Sequence, residues 1–139
     1  MFLADLSAVR TILTTCSRVA VVGLSPKKDR PSNMVARYLL DAGFTVVPVN
    51  PGQEEILGQR CYPSLHEVPG GVDVVDIFRR SEDVAPIVAD AVKVGAKAVW
   101  MQEGIVNEEA ALEAKAAGLL VVMDRCMKTE HEKLLAETG

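Results

Sequence analysis

The residues with most chemistry to offer stand together in Gly23-Leu24-Ser25-Pro26-Lys27-Lys28-Asp29-Arg30. Ser25 brings a hydroxyl. Lys27, Lys28 and Arg30 bring positive charge, offset only by Asp29. Val19 to Val22, just before this stretch, reads as a strand buried on both faces, as in a parallel sheet. A helix is expected to start just after it, at Ser32 or Asn33. A loop between strand and helix aims backbone N–H groups and a positive dipole end at one place, which suits a phosphate. The competing reading is a solvated basic surface loop. The ordinary dinucleotide fingerprint, G-x-G-x-x-G, needs three glycines here, whereas this longer loop has Gly23 alone.

Other candidates sit where later strands should end. Asn50-Pro51 follows the second strand, at the place where NAD sites carry an acidic residue for the ribose. The nearest acids, Glu54 and Glu55, lie beyond Pro51-Gly52, which counts against NAD. NADP stays open, because an arginine can take its extra phosphate. Arg79 and Arg80 end the third strand and offer planar forks to an anion, or else pair with Glu82 or Asp83. Phe78 either fills the core or flanks an adenine or an alkyl arm. Trp100, inside a strand, is expected to pack. Gln102-Glu103-Gly104 ends the fourth strand with a single carboxylate.

No catalytic pair emerges from spacing. Cys126 is a nucleophile candidate, with a small buried thiol as the plainer reading. His131 reads as a helix-surface residue beside Glu130, and His66 as part of a capped turn. With two histidines and three widely spaced cysteines lacking any C-x-x-C, no metal site and no disulfide framework are expected.

The elements that must position these residues follow from periodicity. A helix is expected over about 5–15, from Leu6, Val9, Ile12 and Leu13, capped by Asp5 or Ser7. Met34, Val35, Tyr38, Leu39 and Ala42 give a second helix, with Gly43 at its end. Further strands fall at Phe44–Val49, Asp73–Phe78, Lys97–Met101 and Leu119–Met123. Gln53 to Gly58 is expected to hold a helical turn, Cys61 to Pro63 a short strand, and Ser64 to Glu67 a capped turn. A helix capped by Ser81 or Asp83 runs to Val94, another opens at Asn107, and a tail helix covers about 129–137. Strands alternating with helices predict a single α/β domain, a Rossmann-like doubly wound parallel sheet in three layers. Ligands of such sheets bind beyond the carboxyl ends of the strands.

Composition narrows the partners. The 139 residues suit one domain, and the net charge of -4, from 15 basic and 19 acidic residues, gives no broad field for nucleic acid. No run approaches the ~18 apolar residues of a membrane span. The first ten residues carry Asp5 and lack the basic start of a signal peptide, so the expected location is cytoplasmic, with a small-molecule ligand.

Five segments carry a resemblance: Val19–Pro26, Gly43–Pro51, Val72–Arg80, Ala98–Gly104, and Val122–Cys126 with Glu130-His131. In this order they resemble the small stand-alone CoA-binding proteins, and more distantly the amino-terminal CoA-binding domain of the succinyl-CoA synthetase alpha subunit. The resemblance implies coenzyme A at the strand ends. Gly23, Ser25 and Pro26 would line the first loop, and Lys27 or Arg30 would meet phosphates. Asn50 and Pro51 would flank the nucleotide, Phe78 and Arg79 would lie along the CoA, and Gln102 and Gly104 would border its thiol end. The synthetase works through a phosphohistidine on a second domain, with a partner subunit that grasps nucleotide. His131 does not occupy that place, so ligase activity is not carried over. The leading expectation is binding of CoA or acyl-CoA without catalysis. The alternatives are an NAD(P)-binding oxidoreductase and a CoA-binding component of an acyl-CoA ligase that needs a partner chain.

Overall fold

The computed structural model describes residues 2–138, with side chains from residue 6 onward. The alternating pattern folds into α1 (Phe2–Thr15), β1 (Arg18–Val22), α2 (Pro31–Asp41), β2 (Thr45–Val49), a hairpin of β3 (Glu55–Ile56) and β4 (Gln59–Arg60), β5 (Val74–Ile77), α3 (Val84–Lys93), β6 (Ala98–Met101), α4 (Glu108–Ala116), β7 (Leu120–Val122) and α5 (Met127–Thr138). Five strands form one sheet in the order β2-β1-β5-β6-β7, and every pair in it is parallel.

Burial on both faces explains the valine-rich strands. Val19 and Val21 of β1 point to the side covered by α1, α2 and α5, where Ile12, Leu39, Trp100 and Met127 pack. Ala20 and Val22 point to the other side, where Val84, Val88 and Ala91 of α3 and Ala110, Ala111 and Ala114 of α4 pack. A strand with one layer of helices on each side has no solvent face, so alternation gives way to a continuous apolar run.

The order of strands fixes where a ligand can sit. From β1 the chain crosses over α2 to β2, whereas from β5 it crosses over α3 to β6 on the opposite side. The connections part between β1 and β5, and a crevice opens outside their carboxyl ends.

Several local expectations are corrected. α1 begins at Phe2, so Asp5 and Ser7 lie inside the helix rather than at its cap. α2 begins one residue early, at Pro31, because proline suits the first turn, where its missing N–H leaves no bond unmade. Residues 53–58 hold no helical turn. Leu57 and Gly58 both adopt positive φ (56° and 74°), which closes the antiparallel β3–β4 hairpin. The short strand at Cys61 to Pro63 is reduced to a single parallel bridge between Tyr62 and Val49.

Neither Ser81 nor Asp83 caps α3 through its side chain, since a short 3-10 turn over Ser81–Asp83 intervenes. Ser81 is used elsewhere. Its hydroxyl accepts from the Val106 N–H and its carbonyl from the Asn107 amide, tying the start of α3 to that of α4. Asn107 caps α4 as expected, accepting from the Ala110 N–H at 3.0 Å. Ser64 precedes a 3-10 turn without a side-chain cap. The tail helix starts two residues early, at Met127.

Candidate functional site

The first crossover forms one wall of the crevice. Gly23 has φ +90°, and a Cβ built there would run into the Phe78 carbonyl oxygen, with Arg79 Nε at 3.3 Å. Glycine is therefore required where the ends of β1 and β5 approach each other. Its N–H donates to the Val49 carbonyl, so the ends of β2, β1 and β5 meet at this residue.

The loop beyond Gly23 is stitched to the start of α2. Ser25 N–H donates to Ser32 Oγ at 3.0 Å, and Asn33 Nδ2 donates to the Ser25 carbonyl at 2.8 Å. Arg37 donates to Asn33 Oδ1 and to the Lys28 carbonyl, both at 2.9 Å. Ser25 Oγ accepts from the Lys27 N–H, which turns the chain and leaves the hydroxyl proton for another partner. Asn50 braces the same loop. Its Nδ2 donates to the Leu24 carbonyl at 2.9 Å, and its Oδ1 accepts from the Gly52 N–H at 3.0 Å.

With the backbone so held, the cations are left over. The side chains of Lys27, Lys28, Arg30 and Arg79 make no hydrogen bond or ion pair among the described residues. Arg37 is consumed by the loop. Arg80 is engaged with Asp83 at 3.2 Å and Glu82 at 3.9 Å. Lys27, Arg30 and Arg79 line a cleft of about 960 Å³ together with Gly23, Ser25, Asn50, Phe78 and Gln102. Eight of the eleven residues expected at the site are thus brought to one cavity. Pro26, Pro51 and Gly104 are not among its lining residues. Pro26 and Pro51 are exposed neighbours of residues that are, and the Gly104 N–H is taken by Asp124 Oδ1 at 2.7 Å.

The far wall comes from β6, β7 and α5. Gln102 ends β6 and accepts the Met127 N–H on its Oε1 at 3.2 Å, which seats the start of α5 against it. Trp100 is fully buried, as its place in a strand predicts, and donates its indole N–H to the Arg125 carbonyl at 2.8 Å. Cys126 is half-buried and lines the cleft. Ile105 also borders this end, and Ser32 the other; sequence reasoning assigned neither to the site. Ser32 and Asn33 were legible only as a helix start. Their burial, 5% and 1% exposed, marks polar side chains held inside to shape the loop.

Both histidines lie away from the cleft lining. His131 corrects the helix-surface expectation. It is buried, its Nδ1 meets the Tyr38 hydroxyl at 2.7 Å, and Tyr38 and Phe44 pack against it edge to face. Burial raises the Tyr38 hydroxyl above its ordinary pKa. His66 is exposed and pairs with Asp90 at 2.8 Å. Among the described residues no three His, Cys, Asp or Glu side chains converge as metal ligands, and no helix is long and apolar enough to cross a membrane.

With this geometry in view, the residues match a family model for a CoA-binding domain from 17 to 132. The chain belongs to the CoA-binding domain family. YneT of Bacillus subtilis, one of its relatives, is 42% identical over 123 residues, which cover 88% of this chain and 91% of that protein. The solved structure of a hypothetical protein from Pyrococcus horikoshii is similar at a TM-score of 0.90 and 46% identity, covering 94% of this chain and 92% of that one. An ADP-forming acetate–CoA ligase of Archaeoglobus fulgidus is 42% identical over 59 residues, 42% of this chain but only 9% of the ligase. Membership of the CoA-binding family accords with the parallel sheet and with a cleft at the switch in strand order.

Proposed function

We propose that this chain binds coenzyme A or an acyl-CoA in the cleft, with the phosphates on Lys27, Arg30 and Arg79 and the pantetheine arm running past Phe78 toward Gln102. The observation that carries the reading is the set of three unpaired cations around a cavity whose first loop is held by Ser32, Asn33 and Asn50. CoA carries a diphosphate and a 3′-phosphate, so several fixed cations suit it. Each charge-assisted contact contributes on the order of 1.5–3 kcal/mol before desolvation.

An NAD reading fits less well. Asn50, where an acidic residue would hold the ribose, is spent on the Leu24 carbonyl and the Gly52 N–H. A second reading draws on the ligase similarity: the chain supplies the CoA-binding part of an acyl-CoA ligase whose remaining machinery lies on a partner chain.

The test is calorimetric titration of the parent protein and of Arg30→Ala and Arg79→Ala with CoA. Each substitution is expected to weaken binding about tenfold. The unfolding midpoint should stay in place, because neither side chain supports the fold. Parental affinity in both variants removes the phosphate assignment.

A further inference from the structure

We propose that the β6–β7 end of the cleft is built to hold a thioester carbonyl, so that the ligand is an acyl-CoA rather than free CoA; the inference rests on the CoA reading above. Gln102 is only 4% exposed, yet it lines the cleft. The Met127 N–H can only donate, so the Gln102 oxygen must face it, and the NH2 group must face the other way. That NH2 has no partner among the described residues and is not one of the sealed, unpartnered atoms of the interior. It therefore opens on the cleft, a nearly buried donor without an acceptor.

The start of α5 fixes the orientation of this amide. α5 is twelve residues long and starts at Met127, one residue after the cleft-lining Cys126. Its first N–H is satisfied by Gln102, while those of Lys128 and Thr129 have no carbonyl four residues back within the helix.

The acceptor that fits is neutral. Lys27 and Arg30 lie on the loop after β1, which is separated from β6 and Gln102 by β5. Arg79 leans over Gly23, Arg80 is held by Asp83, and Arg125 pairs with Glu130. The one charged cleft residue that follows Gln102 directly is Glu103, which repels an anion. A carbonyl oxygen, polar but uncharged, takes the amide proton without meeting that repulsion. Ile105 and Cys126 give the acyl chain apolar neighbours.

The experiment is calorimetric titration of the full chain with CoA, acetyl-CoA and S-ethyl-CoA, a thioether of nearly equal size that lacks the carbonyl. Acetyl-CoA is expected to bind about three- to tenfold more tightly than S-ethyl-CoA. Gln102→Glu keeps an oxygen for the Met127 N–H but has no NH2, so it should abolish that preference. With 13C at the acetyl carbonyl, the infrared band of the bound ligand should shift to lower wavenumber in the parent and not in the variant. If the variant does not fold, the parental affinity ratio and band shift decide alone. Equal affinity for acetyl-CoA and S-ethyl-CoA with no band shift, while CoA still binds, overturns the thioester site and leaves the CoA reading standing. No binding of any of the three overturns both.

Discussion

At the scale of single residues, the cleft depends on which polar groups are spent and which are spare. Asn33, Asn50 and Arg37 are spent on backbone, whereas Lys27, Arg30 and Arg79 are spare. Sequence shows the cations but not this division, because pairing across a fold is invisible in spacing. Arg79 and Arg80 illustrate the point. They are adjacent, identical in type and both line the cleft, yet Arg79 is unpaired and Arg80 forms the ion pair that was its alternative reading. Asp76 is the least legible residue. It lies in β5 between Val21 of β1 and Trp100 of β6, wholly buried, and neither carboxylate oxygen has a partner. Burial alone drives its pKa well above the ordinary range, since nothing compensates the charged form.

The sign of the resulting pH dependence is definite. The folded pKa is raised, so the stability Asp76 confers is fully present below the ordinary Asp pKa and is lost as pH rises toward the folded value. The slope is about 1.4 kcal/mol per pH unit in that window. Asp76→Asn should flatten this part of the profile, as measured by urea unfolding from pH 4 to 8. An unchanged slope would show that Asp76 is not its source.

At the scale of elements, strands and long helices were legible because their periodicity reports burial directly. Of the expected stripe of α2, Val35 and Leu39 face the core and Tyr38 is half-buried, whereas Met34 and Ala42 are exposed and Ala36 is buried in their place. The hairpin at residues 55–60 was not legible, because a leucine at positive φ is an unusual way to make a tight turn. His131 was misplaced for a related reason. Its burial comes from the packing of α5 onto α2 through Tyr38, a contact between residues 93 apart.

The join between the first loop and α2 holds the loop in place without a ligand. Asn33→Ala removes the donor to the Ser25 carbonyl and the acceptor for Arg37. It is expected to cost about 1–2 kcal/mol in stability. It should also weaken CoA binding, because the freed loop must then be ordered on association. Urea unfolding and calorimetry measure the two effects separately. Lowered stability with unchanged CoA affinity would show that the loop is not held for the ligand.

At the scale of the whole molecule, a parallel sheet with helices on both faces was legible because so few topologies satisfy alternating strands and helices. The location of the cleft followed from that topology, since the connections part between β1 and β5. Ligand identity did not follow from the fold, which serves many nucleotides. The proposed ligand rests on membership of the CoA-binding family, with the single glycine and the committed Asn50 counting against NAD and the spare cations suiting phosphates. The central claim is that these select CoA through its phosphates. Native mass spectrometry of the purified protein, titrated in parallel with CoA, 3′-dephospho-CoA and NAD, tests it most directly. CoA should bind most tightly, with loss of the 3′-phosphate weakening the complex and NAD weaker still. Tight binding of NAD with no binding of CoA would contradict it.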